Sequence, residues 1–178
     1  MSTRTRSIAT ATAALAGTVL VTGCTVAGTG SADPSAVAAY QSTIAASRAA
    51  AAESARVSAC AAWETNVDTR LVATRATTAF TKDPNWQWDG IAGLVNAELA
   101  AIETESGKLP GIVATPNLQE SLKTLFSQYK TKLDAYGVAL RADAQARGSG
   151  DQTWPKRNPA SSAMVDTLER IEAVCPSR

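Results

Sequence analysis

The chain has 178 residues, with 17 Lys and Arg against 16 Asp and Glu, three Cys and no His. That length suits one domain or two small ones, and a formal charge of +1 excludes the basic surface with which a nucleic-acid binder neutralises phosphates. Without His, the Ser-His-Asp and Cys-His nucleophiles, His-ligated metals and imidazole pH switches are excluded as well.

The chain opens with Arg4 and Arg6 in a short polar stretch, followed by an uncharged, mildly apolar run from Ile8 to Val21. That run is shorter than the roughly 18–20 apolar residues a membrane-spanning helix needs, so it reads as the apolar core of a signal peptide. Val21-Thr22-Gly23-Cys24 follows directly. In these residues the chain resembles bacterial lipoprotein precursors, whose lipobox is an aliphatic residue, two small residues and a Cys. The Ala- and Thr-heavy composition resembles the actinobacterial members. The resemblance implies that Cys24 receives a diacylglyceryl group and that residues 1–23 are cleaved away. A further acyl chain such as palmitate often follows on the new amine. It also implies a location on the extracytoplasmic face of the cell membrane. Arg4-Thr5-Arg6 is not a twin-Arg pair, which points to Sec export. Small Thr22 and Gly23 suit a narrow protease cleft, and the Cys24 thiol is the nucleophile that forms a thioether. Two acyl chains hold a protein durably on a bilayer where one is marginal.

With Cys24 lipidated, Cys60 and Cys175 remain as an even pair in an oxidising compartment, and one disulfide is expected. Two Cys so far apart, with no His and no CxxC, argue against a metal site or a reactive thiol.

Without residues 1–23 the chain carries 15 basic and 16 acidic side chains, so no basic stripe remains for acidic polymers or lipid headgroups. Ala accounts for 36 of the 178 residues, and large apolar side chains are scarce. A thin-cored helical domain with a covalent staple follows from that balance. Residues 24–33 are small and polar and read as a flexible tether. Asp33-Pro34 opens the first helix as N-cap and first helical residue. It can run to about Thr81, with Tyr40, Ile44, Ala51, Cys60, Trp63, Val67, Leu71 and Phe80 on its apolar face. Residues 34–56 are Ala-rich and have little to bury, so they are expected either to form a stalk, the favoured reading, or to break and fold back, leaving 57–178 as the bundle domain.

The second helix is expected from Asp89, as its N-cap, to Gly107, carrying Ile91, Leu94, Val95, Leu99 and Ile102. The Pro residues are read as punctuation lying outside helix interiors. In the third helix Leu118, Leu122, Leu125, Tyr129, Leu133, Tyr136 and Leu140 recur at three- and four-residue spacings. Asn117 and Glu120 offer a capping-box variant, and Gly148-Ser149-Gly150 ends the helix. Asn158-Pro159 opens a fourth, with Val165, Leu168, Ile171 and Val174 as its buried face. No segment alternates with period two. The expectation is an all-α antiparallel bundle of about four helices, the long Ala-rich first helix tied by Cys60–Cys175 to the end of the fourth.

Candidate chemistry is sparse. The segment Asp83 to Gly90 places oxygens at alternate positions, as a calcium loop does, but Trp88 and Leu94 stand where that loop needs Gly and Glu. Ser127-Gln128-Tyr129-Lys130 fits S-x-x-K, without the companion motifs or the chain length of the enzymes that use it. Glu98, Glu103, Glu105, Asp134 and Asp143 include a conceivable glycosidase pair, but solvated helix charges are the expectation for them. No catalytic residue, metal ligand or cofactor is assigned. Of the four Trp, Trp86, Trp88 and Trp154 lie in or beside helix connections, where they either plug the bundle end or contact a ligand. The expected function is a non-enzymatic, membrane-anchored envelope lipoprotein acting by contact with another envelope protein or as an accessory subunit. The alternative is a lipoprotein capturing a glycan or small apolar molecule near those Trp. No nucleic-acid partner is expected.

Overall fold

The computed structural model describes residues 33–175, so the signal peptide, Cys24 and nearly all of the tether lie outside the described residues. Within them the chain forms four α-helices and no strand: α1 (Pro34–Phe80), α2 (Trp88–Val113), α3 (Glu120–Ala146) and α4 (Arg157–Glu172), with a short 3-10 turn at Gly150–Gln152. Consecutive helices pack on one another. Their pairings run in opposite directions. Arg70 and Thr74 of α1 meet Glu105 and Glu98 of α2, and Glu98 and Glu105 meet Tyr136 and Tyr129 of α3. Asp143 caps the start of α4, while Arg170 near its end reaches Gln128. The bundle is therefore antiparallel throughout, as the sequence predicts.

α1 is one unbroken helix of 47 residues, about 70 Å long at 1.5 Å per residue. Asp33 accepts from the Ser35 N–H at 2.9 Å and Pro34 supplies the pre-set first turn. The first buried residue is Ala55. From Pro34 to Ser54 the helix is almost wholly exposed, so roughly 30 Å of it extends beyond the bundle. Tertiary packing does not support that segment. Its high Ala content does, through intrinsic helix propensity.

The core is centred on α3. Phe126, Tyr129, Leu133, Tyr136 and Leu140 are fully buried, together with Ile91 of α2 and Ile171 of α4. Trp63 packs between Phe126 and Tyr129, each ring centroid 6.2 Å away. The expected stripe on α3 holds except at one turn, where Phe126 is in the core and Leu125 lies half-buried at its edge. Cys60 and Cys175 form the predicted disulfide, with Cα atoms 5.4 Å apart, within the range the bond geometry requires.

Four local expectations are corrected. α2 does not stop at Gly107 but continues through Pro110 to Val113. The interior proline sacrifices a backbone hydrogen bond, yet continuing the helix buries Leu109 and Ile112, each side chain contributing about 1.5–3 kcal/mol. The N-cap of α2 is Gln87 rather than Asp89, which sits in the first turn where the helix dipole favours its charge. α3 begins at Glu120 with Gln119 as N-cap, because Asn117 adopts a left-handed backbone, φ 62°, in the preceding turn. α4 begins at Arg157 and buries Met164, Thr167, Leu168 and Ile171, leaving Val165 and Val174 largely exposed. Docking on α3 and the pull of the Cys175 bridge set its rotation, and the mixed periodicity of this short helix did not.

Candidate functional site

The four inter-helix positions that matter most are polar and buried. Glu98 and Glu105 stand two turns apart on α2, and Tyr136 and Tyr129 stand two turns apart on α3. Antiparallel packing puts each Tyr opposite one Glu. The flanking helices add one guanidinium to each pair, Arg70 from α1 and Arg157 from α4.

In the tier nearer the disulfide, Arg70 Nε lies 2.7 Å from Glu105 Oε2, and both side chains are 1% exposed. The Tyr129 hydroxyl donates to Glu105 Oε1 at 2.6 Å and accepts from Arg70 Nη2 at 3.1 Å. In the other tier, the Tyr136 hydroxyl and the Thr74 hydroxyl both donate to Glu98 Oε1, and Arg157 Nη2 stands 3.6 Å from the same oxygen. Burial, with a facing carboxylate, pushes both phenols well above the ordinary tyrosine range. They stay un-ionised donors at any physiological pH.

These carboxylates overturn the expectation of solvated helix charges. Glu98, Glu105 and Asp143 are buried to within 1%. They do not form a paired acid and base. Glu98 and Glu105 are each held by their own Tyr, and Asp143 Oδ2 accepts from the Lys156 and Arg157 N–H groups at 2.9 and 2.7 Å, capping α4. Glu103 is exposed and pairs with Arg141 at 3.0 Å. Asp134 accepts from Ser106 and Lys130. Burial works to raise its pKa, but those two donors prevail and hold it below the usual carboxylate range.

Trp86, Trp88 and Trp154 converge at the end of the bundle opposite the disulfide. Trp86 stacks on Trp154 with centroids 6.3 Å apart, and Trp88 meets both edge-on at 4.8 and 5.2 Å. Trp154 is buried and the other two are half-buried. Trp88 Nε1 donates to the Gly148 carbonyl at 3.1 Å. This requires the chain to double back after α3, where an added Cβ on Gly148 would lie 2.3 Å from the Gln152 carbonyl oxygen. The Arg157 guanidinium lies 5.2 Å from the Trp154 ring and 5.7 Å from that of Tyr136. The aromatic cluster is a plug with its faces largely turned on one another.

The remaining sequence candidates do not assemble. Asp83 makes a local turn with the Asn85 N–H at 2.8 Å, and Asp89 pairs with Arg147 at 3.2 Å. Among the described residues no three His, Cys, Asp or Glu side chains group as metal ligands. Ser127 donates to the Lys123 carbonyl while Lys130 pairs with Asp134, so the S-x-x-K residues do not meet. An open groove of about 370 Å³ lies between α2 and α3, lined by Leu99, Ile102 and Gly137 together with Glu103, Asp134 and Arg141. Val138 beside it is 64% exposed. No described helix is long and apolar enough to cross a membrane.

Sequence reasoning missed the two buried tiers. The signal was present: Glu98 falls one helical turn from Val95 and from Ile102 and two from Ile91, on the apolar stripe of α2. Comparison of the chain with protein families, with characterised proteins and with solved structures finds no match.

Proposed function

We propose that this protein is a lipid-anchored envelope lipoprotein whose helical domain works by contact with another envelope protein. One observation carries the reading: a basic start, an apolar run too short to span a bilayer and the Val21-Thr22-Gly23-Cys24 motif stand in the order that lipid modification requires. The Cys60–Cys175 bridge supports it, since such bonds persist in oxidising compartments.

The architecture fits a spacer and head. The ten residue steps from Cys24 to Pro34 allow at most about 36 Å between the anchor and the first helix, and the exposed part of α1 adds about 30 Å more. The Trp plug lies at the far end of the bundle from the exposed part of α1. The α2–α3 groove with exposed Val138 beside it offers a partner an apolar surface. For the glycan-capture alternative Trp86 and Trp88 are half-buried, with one face of Trp86 stacked on Trp154 and Trp88 edge-on to both.

Cys24→Ala tests the anchor. The variant is expected to lose radiolabelled palmitate and to accumulate as an uncleaved precursor; normal processing and membrane recovery of the variant would overturn the assignment. Crosslinking in intact cells with mass spectrometry then identifies the partner, and saturable quenching of Trp fluorescence by cell-wall fragments would favour the glycan alternative.

A further inference from the structure

The two polar tiers of the core have the same composition, Glu, Tyr and Arg, but they are not equally complete. Around Glu105 every contact is direct: the guanidinium reaches one carboxylate oxygen at 2.7 Å and the phenol reaches the other at 2.6 Å. Around Glu98 all donors crowd onto Oε1. Tyr136 and Thr74 both donate to that atom, and Arg157 Nη2 stands off it at 3.6 Å, beyond the 2.7–3.2 Å of an ordinary N–H···O bond. Among the described residues, Glu98 Oε2 and Arg157 Nε are buried and have no partner. Glu98 is 0% exposed and Arg157 9%.

Leaving one oxygen of a carboxylate and the Nε–H of a guanidinium buried without partners costs more than leaving a neutral polar group so. A guest that relieves both must donate to a carboxylate oxygen and accept from a guanidinium N–H. A cation cannot accept, and it would sit beside Arg157. An anion would face the carboxylate it has to approach. A neutral molecule carrying both functions satisfies the pair, and the smallest is water, which typically makes about three hydrogen bonds when buried. The Asp143 carboxylate, which holds the start of α4, carries a further orphan. Asp143 Oδ1 has no partner among the described residues, while Oδ2 of that carboxylate holds the Arg157 N–H at 2.7 Å.

We infer that the Glu98–Arg157 tier contains an internal water site, in which one molecule donates to Glu98 Oε2 and accepts from Arg157 Nε. Its second proton serves Asp143 Oδ1, directly or through a second water. Trp154 is buried and lies over the Arg157 guanidinium at 5.2 Å. The aromatic plug thereby acquires a role: it covers the hydrated polar tier at this end of the bundle.

The test is a crystal structure of the intact protein at a resolution where ordered solvent is visible, paired with magnetisation transfer from water in solution. The expected result is a solvent peak within about 2.7–3.2 Å of both Glu98 Oε2 and Arg157 Nε, with a cross-peak between the Arg157 Nε proton and bound water. A direct Nε–Oε2 hydrogen bond with no solvent peak would overturn the inference. So would an empty space beside both atoms, with no cross-peak.

Discussion

Replacing Arg70 by Met tests how the first helix is held to the second. Arg70 and Glu105 are both 1% exposed and 2.7 Å apart, with Tyr129 bonded to each. Removing the guanidinium leaves a buried carboxylate facing a single phenol, and breaking a buried pair in this way costs about 3–5 kcal/mol. Against a typical domain stability of about 5–15 kcal/mol that is a large fraction. With a urea dependence of about 2 kcal/mol per molar, the midpoint should fall by roughly 2 M. The companion variant removes the whole tier, Arg70→Met, Glu105→Leu and Tyr129→Phe together. Apolar replacement of a buried ion pair is often neutral or stabilising by about 1–4 kcal/mol, so the triple variant should recover most of the loss. Urea unfolding followed by circular dichroism at neutral pH measures all three proteins. A loss below about 1 kcal/mol in Arg70→Met, or a triple variant no more stable than the single one, would refute the account of this tier as a buried, mutually dependent unit.

Three further outcomes are expected. Cys60→Ser opens a bridge spanning a sequence separation of 115 and should destabilise by up to about 4–5 kcal/mol on the chain-entropy model; an unchanged melting temperature, or two free thiols titrated in the native parent protein, would contradict it. Asp143→Ala removes the cap of α4 and should cost about 1–2 kcal/mol, seen as faster amide exchange at Lys156 and Arg157, whereas unchanged exchange at those two residues would disprove the capping role. Tyr129 and Tyr136 have raised native pKa values, while the unfolded chain releases its phenol protons near pH 10. Their contribution to stability is therefore complete below about pH 10 and declines as pH rises beyond it, because the unfolded state then binds fewer protons than the native one. In a Tyr40→Phe protein the remaining phenols should ionise only together with unfolding; ionisation near pH 10 with native circular dichroism retained would contradict this.

Much of the architecture is set by local chemistry that reads directly along the chain. Asp33-Pro34 starts α1, Ala-rich composition carries it past its last contact, and the spaced apolar residues of α3 define the central helix. The absence of His and the placement of the three Cys delimit the chemistry and the covalent staple. Those features depend on neighbours in sequence, so sequence suffices for them. The rest depends on which surfaces meet. Pro110 lies inside a helix because Leu109 and Ile112 have a core to enter, and α4 turns Met164 inward rather than Val165 because α3 and Cys175 dictate its rotation. Glu98 and Glu105 look like surface charges until antiparallel packing places Tyr136, Tyr129, Arg157 and Arg70 against them. Burying a charge is unfavourable in isolation, and only partners brought from three other helices reverse the balance.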